Sequence, residues 1–110
     1  MSIIQIDIID IISTTPNGKV MLTISDHLPW DKKNEHLLLL QEKLNKYLQF
    51  IESGEIFESY PAAKNKKIII SLSMQYEPNQ DTLIFINRCK EVISNAGIDF
   101  EWETFFPANL

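Results

Sequence analysis

Between Ile68 and Tyr76 the apolar side chains fall on every second residue, and in the stretches on either side they fall on every third or fourth. A spacing of two lines one face of a strand, and a spacing near 3.6 lines one face of a helix. Ile68, Ile70, Leu72, Met74 and Tyr76 share one face, with Ile69, Ser71, Ser73 and Gln75 on the other. Before this strand, Leu37, Leu40, Leu44, Tyr47, Leu48 and Ile51 form a helical stripe, widened at its start by Leu38 and Leu39. The pattern predicts a helix from near Asp31 to Ser53, ended by Gly54. Glu55–Tyr60 has room for one more short turn before Pro61. After the strand, Asn79 suits an N-cap and Asp81 suits the positive end of a helix. A second helix is expected over Gln80–Asn95, with Leu83, Ile86, Cys89 or Lys90, and Ile93 along its stripe.

The ends of the chain return to a period of two. Ile4, Ile6 and Ile8 alternate with Gln5 and Asp7, so Ile3–Ile12 reads as a strand. Ile8 and Ile9 are adjacent, which puts Asp10 on the apolar side; a bulge near Ile9 would restore the register. Asn17-Gly18 is a hairpin signal, because both residues tolerate positive φ. It leads into a second strand, Lys19–Ser25, with Val20, Leu22 and Ile24 on one face. A last strand, Ile98–Phe106, sets Phe100, Trp102 and Phe106 against Asp99, Glu101 and Glu103. The order β-β-α-β-α-β predicts an α+β fold. Right-handed crossovers taken in one direction give a two-layer sandwich, a mixed four-stranded sheet with both helices on one face. The other face would carry Gln5, Asp7, Thr23, Ser25, Ser71, Ser73, Gln75, Glu101 and Glu103, open to water, a partner or a second copy.

A length of 110 residues predicts one domain over 1–110. The single cysteine, Cys89, permits no internal disulfide, which fits the cytoplasm. The N-terminus lacks a basic leader segment, and no apolar run is long enough to span a bilayer. A net charge of −5 repels phosphate backbones, so nucleic acid is a poor partner. The Lys64, Lys66, Lys67 cluster reads as a solvated turn. The polar face of the first helix, with Glu35, Gln41, Glu42, Lys43, Asn45, Lys46 and Gln49, is mixed in sign, unlike a membrane-surface helix.

Residues 25–36, Ser-Asp-His-Leu-Pro-Trp-Asp-Lys-Lys-Asn-Glu-His, hold both histidines and one of two tryptophans. Ligands in open sheets gather beyond the carboxyl ends of parallel strands. Those ends would present Asp26, His27, Trp30 and Asp31 after strand two, and Tyr76 and Glu77 after strand three. These six are the candidate binding residues. His27 beside a carboxylate has the parts of a general base, but no third group or phosphate-binding glycine loop accompanies it. Asp26, His27, Asp31 and Glu77 offer nitrogen and oxygen donors without a diagnostic metal spacing, so neither metal nor cofactor is implied. Each residue also has a structural reading: Asp26 a turn aspartate, His27 a loop histidine, Asp31 the helix cap, Trp30 a plug for the loop. Cys89, in mid-stripe, reads as core.

The runs Val20-Met-Leu-Thr-Ile-Ser-Asp-His-Leu-Pro-Trp-Asp, Asn34-Glu-His-Leu-Leu-Leu-Leu-Gln-Glu-Lys and Tyr47-Leu-Gln-Phe-Ile-Glu-Ser-Gly-Glu-Ile resemble a family of small bacterial proteins of unknown function. The resemblance covers most of the chain and implies a bacterial, soluble, stand-alone domain, with no catalytic residue to carry over. Two functions are expected from these features. One is a protein-binding or regulatory module, for instance a homodimer or an immunity-type inhibitor of a toxin. The alternative is a small enzyme or a ligand- or metal-binding protein built on the Asp26–Asp31 loop. The missing catalytic motifs weigh against an enzyme.

Overall fold

The hairpin that opens the sheet is closed by a turn in which the Gly18 N–H donates to the Thr15 carbonyl at 2.9 Å, with Gly18 at a φ of 82°. In this computed structural model, which describes residues 9–31 and 35–104, the turn joins β1 (Ile11–Thr14) to β2 (Val20–Asp26). Thr14 pairs with Val20 and Ile11 with Thr23, antiparallel. The first strand therefore extends to Ser13 and Thr14, past the expected Ile12. The part expected over residues 3–8 lies outside the described residues, as does the N-terminal half of the expected bulge. Ile9 and Asp10 precede the strand, and Asp10 is buried.

The remaining elements are α1 (Glu35–Glu52), α2 (Glu55–Ser59), a 3-10 turn (Pro61–Ala63), β3 (Ile68–Met74), α3 (Gln80–Asn95) and β4 (Asp99–Thr104). The sheet order is β1-β2-β3-β4, with β2, β3 and β4 mutually parallel. This is the mixed α+β sheet expected from the sequence. Both crossovers step the same way across the sheet, so α1 and α3 share one face and run parallel to each other. Val20, Leu22 and Ile24 of β2 and Ile70 and Leu72 of β3 are fully buried in one cluster with Leu40, Leu44 and Tyr47 of α1 and Ile86 and Ile93 of α3. That cluster is the core between the two layers.

Both ends of α3 follow local signals. The Asn79 side chain accepts from the Thr82 N–H at 2.9 Å. At the other end the N–H groups of Gly97 and Ile98 return to the carbonyls of Ser94 and Ile93, with Gly97 at a φ of 81°. The phase of α3 differs from expectation at its first turn. Thr82, Ile86 and Ile93 are buried with Phe85 and Cys89 half-buried, whereas Leu83 is exposed. The stripe runs 82-86-89-93, which turns Leu83 about 100° away from the sheet.

One residue of α1 departs from the polar face drawn from sequence. Its buried residues are His36, Leu40, Lys43, Leu44, Tyr47 and Phe50, so Lys43 belongs to the inner face. The far side of the sheet also differs from a uniformly open surface. Ile69 and Ser71 on the central strand β3 are buried, and the exposed positions lie at the two edges, Ile11 and Ser13 on β1 and Glu101 and Glu103 on β4. Trp102 is exposed at the β4 edge, while its strand neighbour Phe100 is buried.

Candidate functional site

Asp26 ends β2 with its side chain fully buried. Its two carboxylate oxygens lie 2.7 and 2.6 Å from His36 Nε2, and Oδ1 also accepts the Leu28 N–H at 3.1 Å. His36 comes from the first turn of α1 and is 3% exposed. Its Nδ1 faces the Pro29 carbonyl at 3.1 Å. Both ring nitrogens are thus taken up by oxygen atoms of the protein itself. Trp30 lies over the ring with centroids 3.6 Å apart and planes 13° from parallel. The Trp30 indole N–H approaches the Tyr76 carbonyl at 3.4 Å, a long contact that orients the ring more than it binds it.

Asp31 completes this cluster as the cap of α1. Its carboxylate accepts the Glu35 N–H and the His36 N–H, each at 3.1 Å. The His36 N–H, above all, holds the Asp31 carboxyl below its usual range. Lys32, Lys33 and Asn34 lie outside the described residues, so the expected helix start near Asp31 falls partly among them.

The structure therefore brings Asp26, Trp30 and Asp31 together around His36, with Tyr76 joining through its main-chain carbonyl. Glu77 is turned to β4, where its Oε1 accepts the Thr104 hydroxyl at 2.9 Å. His27 is exposed on the loop. A general base needs a nitrogen facing its substrate. Both nitrogens of the buried histidine face groups of the protein itself, and Trp30 covers the ring. The arrangement pins the β2–α1 loop to the helix. Among the described residues, no three His, Cys, Asp or Glu side chains are grouped so as to hold a metal ion.

A second charged cluster is also closed. Lys43 Nζ donates to Asp10 Oδ1 at 2.9 Å, with both side chains fully buried. Asp10 Oδ2 accepts the Ser25 N–H at 3.0 Å. The Asp10 N–H donates to the Tyr47 hydroxyl at 2.9 Å, and that hydroxyl donates to the Thr23 carbonyl at 2.7 Å. Burial, with the nearby Asp10 charge, raises the Tyr47 phenol well above its usual value. The sequence holds a signal for these buried groups. His36 lies four residues before Leu40 and Lys43 three after it, both on the apolar stripe.

One open feature of the helix layer is a groove of about 340 Å³ between α1 and α3. Leu44, Leu48, Phe85, Cys89, Val92 and Ile93 form its apolar lining, and Gln41, Asn45 and Arg88 add polar groups. Val92 is 63% exposed there. Burial pushes the Cys89 thiol up to about 11, which leaves little thiolate at neutral pH. Among the described residues, no helix is long and apolar enough to cross a membrane.

A family model described as a family of unknown function, DUF6572, matches residues 1–105. No curated protein and no solved structure matches the chain.

Proposed function

We propose that this chain, which belongs to the DUF6572 family of unknown function, is a protein-binding module whose contact face is the groove between α1 and α3. The observation that carries the reading is the apolar lining left open there, with Val92 63% exposed. Leu38 on α1 and Ile84 on α3 are also exposed, one turn before the lining positions Gln41 and Arg88. Contiguous apolar surface rimmed by polar groups is the usual mark of a protein contact. The polar chemistry of the loop supports the same reading, because His36 and Asp26 are engaged with each other and with the backbone. Asp26, Trp30, Asp31 and Tyr76 then serve binding at a distance, by fixing the start of α1. The lone cysteine fits a cytoplasmic module, and the charge of −5 fits a protein partner better than a nucleic acid.

The test is a photo-crosslinking side chain, Val92→p-benzoylphenylalanine, in the full chain expressed in cells. Glu103→p-benzoylphenylalanine on the far edge of the sheet is the control. The expected result is a discrete protein adduct from position 92 and none from position 103. No adduct at 92, or equal adducts at both, contradicts the reading.

A further inference from the structure

The groove has the dimensions and spacing of a helix seat. Along α1 its lining falls at Gln41, Leu44, Asn45 and Leu48, and along α3 at Phe85, Arg88, Cys89 and Val92. Both sets follow the spacing 0, 3, 4, 7, two turns of one helix face, with Ile93 of α3 lining the groove one residue further on. At 1.5 Å per residue each spans about 10 Å. Two parallel helices with matching two-turn faces form a trough into which a third helix packs by its own i, i+3 or i+4, and i+7 side chains.

Charge selects the third helix. Arg88 is the chain's one arginine, in a sequence with 15 acidic and 10 basic residues. It is exposed at the groove, and among the described residues no carboxylate lines the groove with it. Among the described residues Arg88 has no ion pair. A second copy seated groove on groove would be two-fold symmetric. It would bring another Arg88 with Gln41 and Asn45, and among the described lining residues no acid.

Resting on the protein-contact reading above, we propose that the groove takes an amphipathic helix of a different protein, with an acidic side chain beside its apolar stripe that pairs with Arg88. The carboxylate meets the positive charge of Arg88 at the groove, and the apolar stripe covers Val92 and Phe85.

The test extends the Val92 crosslink. Arg88→Glu or Arg88→Lys is added to the full chain carrying the crosslinker, and the crosslinked segment is sequenced by mass spectrometry. The expected segment belongs to another protein, has apolar residues at i, i+3 or i+4, and i+7, and carries Asp or Glu beside them. Arg88→Glu should cut the adduct yield by at least about tenfold through like-charge contact, and Arg88→Lys should keep most of it. Reversing the partner's acid to Lys should restore crosslinking to Arg88→Glu. The proposal is overturned by undiminished crosslinking of Arg88→Glu, by no restoration on charge reversal, or by a segment that is this chain's own or lacks an acid. With any of these the adduct itself still supports a protein contact. Absence of the adduct from every variant removes the contact reading and this inference with it.

Discussion

Lys43 places an ammonium where the helix stripe calls for an apolar side chain, and the placement is stable because Asp10 meets it at 2.9 Å. Removing one partner of a buried pair leaves the other charge without compensation, at about 3–5 kcal/mol. Lys43→Met is expected to lose that much in urea unfolding, and Asp10→Leu added to Lys43→Met should recover much of it. The recovery falls short of complete because the Ser25 N–H loses its acceptor. Tyr47 adds a pH dependence. In the unfolded chain the phenol ionises near 10, and in the fold burial holds the proton to higher pH. Above pH 10 the unfolded state then binds fewer protons than the folded state, so stability falls as pH rises. Urea midpoints measured from pH 8 upward should decline beyond pH 10 for the unchanged chain, and less steeply for Tyr47→Phe. Neither residue's role was legible from polarity alone. Lys43 sits in the stripe, but its partner is 33 residues away, and one sequence shows no such pairing.

Among the elements, legibility followed the strength of local signals. The bounds of α3, Gln80–Asn95, were readable because a capping side chain precedes them and a left-handed glycine follows. Asn79→Ala should cost about 1 kcal/mol, measured as a lower thermal or urea midpoint, because the Thr82 N–H loses its acceptor. The strand Ile68–Met74 was readable from its alternation. The start of α1 was harder to read. Asp31 caps it through the N–H groups of residues four and five positions on, farther than the usual two or three. The inner position of Thr82 over Leu83 was also illegible, since the tertiary packing of α3 outweighs a one-residue gain in hydrophobicity.

For the molecule as a whole, the sequence led to the right sheet, because a hairpin followed by two crossovers leaves few topologies. It led to the 25–36 segment as the place of chemistry because histidine, tryptophan and aspartate are dense there. Apart from His27, which is exposed, the fold turns those groups on one another. Asp26, Trp30 and Asp31 converge on His36, the histidine given no role from sequence, and hold the loop against α1. The groove lies elsewhere, across two helices separated in the chain, so no single segment advertised it.

The proposed division of labour, a structural loop and a binding groove, is tested most directly by urea unfolding of His36→Ala and Val92→Glu beside the unchanged chain. His36→Ala should lose about 3–5 kcal/mol, since it leaves the Asp26 carboxylate buried without its partner. Val92→Glu changes an exposed side chain and should stay within about 0.5 kcal/mol. An unchanged midpoint for His36→Ala would contradict the structural role of the loop, and a comparable loss for Val92→Glu would make the groove part of the core.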